Sequence, residues 1–191
     1  MTDTTYSGPT REQAWDLLCE YTKGEGLRKH ALAVEATLGF FAREEDADET
    51  LWRITGLLHD FDYERWPSMD DHPAKGSVIL EEQGYPDEMR RAIMGHADYS
   101  GVPRDSRLAK VLFACDELAG FVTAVSLVRP SKKVADVKIK SVKKKLKDKA
   151  FARQVSREDI RLGAEELGLP LETVIEKVIA AMQGVAEELG L

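Results

Sequence analysis

His30, His59, His72 and His96 are the only histidines in the chain. Two of them fall in the stretch GLLHDFDYERWPSMDDHP, Gly56 to Pro73, where the doublet His59-Asp60 closes an apolar run. Asp116 interrupts a second apolar run, LAKVLFACDELAGFVTAV. A carboxylate buried in such a run must be paired or ligating, because an unpartnered buried charge is too costly to keep. Imidazole nitrogens and carboxylate oxygens together suit first-row divalent metals: iron, manganese, zinc, cobalt or nickel. Each residue alone has an ordinary explanation. A lone core histidine is more often hydrogen-bonded than metal-bound. His72 before Pro73 suits a helix cap, and His96 suits the end of a helix, whose dipole favours a cation. The joint pattern is the stronger signal, since no histidine of the chain lies outside it.

Such side chains need elements to position them, and the sequence reads as helix almost throughout. TREQAWDLLCEYTK opens on a capping-box pattern, Thr10 with Gln13. LRKHALAVEATLGFFAREE places Leu27, Ala31, Val34, Leu38 and Phe41 on one face, with His30 on or beside it. DETLWRITGLLHDF repeats the spacing with Leu51, Ile54, Leu57 and Leu58. Pro67 and Pro73 mark a loop in ERWPSMDDHP. HPAKGSVILEEQG predicts a short helix between Pro73 and Gly84, and PDEMRRAIMGHA another that ends at His96. The long apolar helix holding Asp116 stops before Pro130. VADVKIKSVKKKLKDKAF, SREDIRLGAEELG and PLETVIEKVIAAMQGVAEELGL predict further helices. No segment alternates convincingly as a strand and no internal repeat is visible. Neighbouring helical residues point about 100° apart. His59 and Asp60 can therefore serve one metal centre only from a fraying helix end set between other helices.

The expected fold is all-α: a single unit over 1–191, with a helical-bundle core at about 24–130 and a C-terminal helical extension at about 131–191. Hydrophobic residues make up 43% of the chain and charged ones 32%, enough for a sizeable core in a globular protein. No run of 18 apolar residues is present, so no membrane span is expected. MTDTTYSGPTREQAW has neither the basic nor the apolar part of a secretion signal. Cys19 and Cys115 form no paired motif, which suits free thiols in a cytoplasmic protein. Net charge is −7, but Ser131 to Lys149 holds nine lysines against two aspartates, a local +7 within a chain otherwise at −14. An acidic chain with one basic strip is not the composition of a nucleic-acid-binding domain. The strip is expected to be a solvated face, with polyphosphate, nucleic acid or an acidic partner as alternatives. Val134, Val137, Val142 and Leu146 give it a packing side. VIEKVIAAMQGVAEEL is core or homodimer-interface material.

The order His30, then His59-Asp60, then Asp116 resembles the HD superfamily of metal-dependent phosphohydrolases, over roughly Gly26 to Pro130. His72 and His96 resemble the additions of its dinuclear branch. HPAKGSVIL is similar to that branch's histidine-four-glycine helix opening, and AIMGHADYSG to its later histidine segment. The whole chain is most similar to small bacterial proteins known as HDIG-type predicted hydrolases. The resemblance implies that His30, His59, Asp60 and Asp116 hold one divalent transition metal ion. It implies that Asp60 bridges to a second ion on His72 and His96. It further implies that metal-activated water hydrolyses an ester or anhydride bond of a small phosphorylated substrate, such as a nucleotide. Asp60 and Asp62 are the candidate catalytic residues, Asp62 by orienting a ligand histidine or relaying a proton.

In the common form Ile-Gly-Lys follows the doublet, and the lysine contacts substrate phosphate. Phe61, Asp62 and Tyr63 stand in those places here. Lys75, Arg129 and Lys132 are the candidate substrate-binding residues instead, although Arg129 is 13 residues beyond Asp116 and reaches the site only if the chain turns back. Asp98 and Tyr99 are candidates for the pocket mouth. Two rival functions share these residues. An HD-fold di-iron oxygenase uses the same six ligands on oxygen, and a non-catalytic partner-binding protein would use the basic strip as its contact surface.

Overall fold

The structure, a computed structural model, describes residues 6–191. Residues 1–5, which open the stretch read for a secretion signal, lie outside the described residues. Among the described residues there are ten α-helices, two short 3-10 turns and no strand. The helices are α1 (Arg11–Tyr21), α2 (Glu25–Glu44), α3 (Glu49–Leu58), α4 (Ala74–Glu82), α5 (Asp87–His96), α6 (Arg107–Leu127), α7 (Ile139–Leu146), α8 (Arg157–Leu167), α9 (Leu171–Gln183) and α10 (Ala186–Leu189). No described helix is long and apolar enough to cross a membrane.

Local chemistry sets the helix starts. Thr10 and Gln13 make both halves of the capping box on α1. Asp48, Ser106 and Ser156 cap α3, α6 and α8 by accepting from Leu51, Ala109 and Asp159 N–H groups. α8 ends at Gly168, where φ is 68°, a left-handed conformation that glycine adopts without strain.

α6 is the central strut. It packs against α2, α3, α5, α8 and α9, and its apolar residues are buried almost all round. α2 and α3 approach closely because position 56 has no side chain: a Cβ on Gly56 would meet the Val34 carbonyl oxygen at 2.8 Å. Glu35, buried on α2, accepts from Arg11 and Arg53 at 2.8 Å each and so ties α1, α2 and α3 together. This satisfies a carboxylate that burial would otherwise penalise. On the other side Gly163 seats α8 on α6, since a Cβ there would meet Ala114 Cα at 2.5 Å. α9 buries Val174, Ile175, Val178 and Met182 against α2, α6 and its other neighbours. Its apolar face is thus used inside the chain.

The lysine-rich strip differs from the sequence expectation in extent. Only Ile139–Leu146 is α-helical, preceded by a 3-10 turn at Val134–Asp136 and followed by turns through residue 154. Val134, Val137, Val142 and Leu146 are all buried, so one side packs as the pattern suggests. Beyond Leu146 the chain runs in turns whose backbone is satisfied another way. The Arg157 guanidinium donates to the carbonyls of Phe151, Ala152 and Val155, which leaves them no need of helical partners.

Candidate metal centre

Five elements deliver six side chains to one place. His30 comes from α2, Asp116 from the middle of α6 and His96 from the last position of α5. His59 follows the last residue of α3, Asp60 lies in the turn after it, and His72 stands two residues before α4. The turn solves the problem of the adjacent doublet: the chain leaves helical geometry there, with Tyr63 N–H bonding back to the Asp60 carbonyl at 3.1 Å. Asp60 Oδ1 lies 3.2 Å from both His72 Nε2 and His96 Nε2. Its Oδ2 lies 3.6 Å from His59 Nε2. Asp116 Oδ1 lies 2.9 Å from His30 Nε2 and 3.3 Å from His59 Nε2. Two three-residue sets result, His30–His59–Asp116 and Asp60–His72–His96, each with its donor atoms within 4.8 Å of one another. Asp60 faces both sets, one oxygen toward each.

The donor set fits divalent cations on three counts. First, three imidazoles are held in the ligand tautomer. His59 Nδ1 meets the Gly56 carbonyl at 2.8 Å, His96 Nδ1 meets that of Ile93, and His72 Nδ1 meets Asp62 Oδ1 at 2.8 Å. An acceptor at Nδ1 keeps a proton there and turns Nε2 toward the centre. Second, His59 Nε2 is buried and makes no hydrogen bond. Asp116 is near it, but not in hydrogen-bonding geometry. A buried, unpartnered ring nitrogen among carboxylates is what a ligand presents to an ion. Third, the charges are mutually tuned. Burial alone would raise the Asp60 and Asp116 carboxyls, yet the imidazoles of His59, His72 and His96 around Asp60, and of His59 and His30 around Asp116, hold both far down. Burial would lower His59, His72 and His96, but the carboxylates raise all three, His72 to about 9. A cation entering such a cluster displaces protons from the imidazoles.

Asp62 stands behind His72. It is 1% exposed and accepts from His72 Nδ1–H and from Gly76 N–H at 2.9 Å. A Cβ on Gly76 would meet Asp62 Oδ2 at 2.7 Å. The glycine of HPAKG therefore makes room for the carboxylate that orients the histidine four residues earlier. That function of Gly76 was present in the spacing but is unreadable without Asp62 beside it.

Above the six residues lies a cavity of about 490 Å³. Tyr63, Asp98 and Tyr99 line it, together with Phe113 and Glu117 of α6. Gln154, Val155 and Asp159 close it from beyond residue 130. No lysine or arginine is among its lining residues. Three sequence candidates are accordingly placed elsewhere. Lys75 pairs with Asp71 at 2.9 Å and lies 5.2 Å from the Trp66 ring centre. Arg129 sits just past α6 and reaches Ser141 Oγ at 3.4 Å. Lys132 is exposed on the next turn. α6 carries the chain straight away from Asp116, and the turn after Arg129 leads to Val134 rather than back to the cavity.

Glu117 had no sequence signal beyond its place after Asp116. It lines the cavity and accepts from Ser156 N–H at 3.2 Å. Burial and the neighbouring Asp116 carboxylate push its carboxyl up to about 7, partly offset by that N–H. Asp98, at the mouth, is tied to Arg104 at 2.6 Å. Gln154, Val155 and Asp159 reach the cavity only because α8 packs on α6, which no local pattern announces.

A sequence model of the HD domain matches residues 27–120, a span that contains all six convergent residues and ends at Gly120 beside the cavity. No curated protein and no solved structure matches the chain.

Proposed function

Residues 27–120 belong to the HD domain family, and from that premise we propose that the protein is a metal-dependent phosphohydrolase acting on a small phosphorylated substrate in the cytoplasm. One observation supports the proposal above all: two adjacent three-residue sets, with Asp60 of one turning its second oxygen toward His59 of the other. His30, His59 and Asp116 would hold one divalent ion and His72 and His96 a second, with Asp60 between them. Bound there, such ions activate water as a nucleophile and polarise the phosphoryl oxygen.

The chain's own residues supply the rest. The Gly56 and Ile93 carbonyls and Asp62 fix the imidazole orientations. Leu27, Phe113 and Val155 give the cavity apolar walls that exclude water from a bound substrate. A volume of about 490 Å³ suits a small metabolite rather than a polymer.

A second function draws on the same cavity. Tyr63 replaces the phosphate-contacting lysine, and no lysine or arginine lines the walls. Both facts suit an oxygenase on a less anionic substrate. Metal analysis of the wild type and of a His72→Ala/His96→Ala variant tests the centre first. About two ions per chain should fall to about one. A phosphatase screen run beside oxygen-uptake measurements then separates the two chemistries: phosphate release without oxygen consumption supports the hydrolase, and iron-dependent oxygen consumption without phosphate release overturns it. A chain that takes up no divalent metal under any loading condition would sink both.

A further inference from the structure

A second cavity, of about 420 Å³, adjoins the metal cavity and has the opposite character. Its charged lining is Lys147, Lys149, Arg153, Arg157 and Arg161, with no acidic residue among them. Several cations elsewhere are paired, Lys143 with Glu172, Lys177 with Glu44, Arg104 with Glu166 and Arg107 with Glu45. Here Arg157 is occupied by backbone carbonyls. Among the described residues, no carboxylate pairs with Lys147, Lys149, Arg153 or Arg161. Asp148, the one acid within the 147–153 segment, pairs with Lys145 and does not line the cavity.

Fold stability accounts for Arg157, which holds those carbonyls, but not for the four other cations beside it. Arg157 and Arg161 lie four apart on α8, where like charges repel. Both sit near the helix's N-terminal end, where the dipole disfavours cations. The two cavities share Val155, and the adjoining residues divide between them: Gln154 and Asp159 face the metal cavity, while Arg153, Arg157 and Arg161 face the cationic one.

We propose that the cationic cavity is a binding site for a small, multiply charged phosphate group, a diphosphate or longer chain, held beside the metal cavity across Val155. Planar guanidinium groups and lysine ammonium groups converging on one hollow are suited to phosphate oxygens. Nucleic acid is the poorer match, because the basic strip does not form a continuous face. Lys143 is taken up by Glu172, and Lys138 and Lys140 line a different groove with Glu176. The site requires no turnover and does not depend on the hydrolase function.

Calorimetric titration of the metal-loaded chain with inorganic tripolyphosphate tests it. One salt-sensitive site is expected that survives in the His72→Ala/His96→Ala variant. In an Arg153→Glu/Arg161→Glu variant with unchanged metal content it should weaken by about tenfold or more. Lys149→Glu, on an exposed turn, gives a second variant should the double reversal fail to fold. Affinity unchanged in the charge-reversed variants, or no binding by the wild type, overturns the proposal. Two sources would present this phosphate chemistry, the molecule seated at the metals and a separate effector. Orthovanadate at the metal centre distinguishes these: competition with tripolyphosphate means one ligand spans both cavities, and independent binding means a separate effector.

Discussion

At the scale of single residues, the centre depends on side chains that hold the ligands as well as on the ligands. His72 faces Asp60 only while Asp62 accepts from its Nδ1, and Asp62 keeps its place only while position 76 lacks a Cβ. Asp62→Asn should therefore leave the fold intact but lower affinity for the second metal ion by about 10- to 100-fold, as loss of such partners does elsewhere. Gly76→Ala should do the same by displacing the carboxylate, with some added loss of stability. Competitive metal titration with a chromogenic chelator reads both, and wild-type affinity in Asp62→Asn would assign Asp62 a merely structural place. The six convergent residues were legible in the sequence because histidine is scarce here and a doublet that ends an apolar run is conspicuous. Gly76, Glu117 and Asp159 were not. Their contribution is set by what lies opposite them in space, and their residue types are too common to stand out.

The elements show the same division. Helix existence followed from apolar spacing and from the Thr10 capping box, which act locally. The extent of α7 did not, and the turns after it are held by Arg157 from beyond the segment, which donates to the Phe151 and Ala152 carbonyls. Close helix contacts were equally hidden. Gly163→Val should push α8 off α6 and cost about 1–3 kcal/mol in urea unfolding, the usual range for overpacking a tight contact. It should also disturb the metal cavity, because Asp159 rides on the first turn of α8. A Gly163→Val protein with wild-type stability would show that the contact relaxes freely. Glu35→Ala tests the other junction. Removing the carboxylate leaves Arg11 and Arg53 without their shared partner across three helices, at a cost of about 1.5–3 kcal/mol. The two arginines are partly exposed and regain water, so the loss should fall at the lower end of that range.

Taken as a whole molecule, the chain completes the metal cavity with residues from outside the stretch that carries the candidate ligands. The HD domain match ends at Gly120, yet α8 and α9 bury their apolar faces on α2 and α6, and residues 154, 155 and 159 wall the cavity. Charge is segregated in the same way: a carboxylate- and imidazole-lined hollow on one side of Val155 and a cationic one on the other, within a chain of net charge −7. The sequence boundary near residue 130 thus divides ligand-bearing from pocket-completing residues, and we propose that it does not divide two folding units. Truncation after residue 130 should expose the faces of α2 and α6 that Ile160, Ala164, Ile175, Val178 and Met182 cover. Losing that many buried side chains, at about 1.5–3 kcal/mol each for the larger ones, exceeds the whole stability of an ordinary domain. The truncated chain should show no cooperative thermal transition by circular dichroism, even with all six ligand residues present and divalent metal in excess. A cooperative transition with about two bound metal ions would instead make residues 24–130 a self-sufficient core, and would leave the extension only the tasks of shaping the cavity and binding the anion.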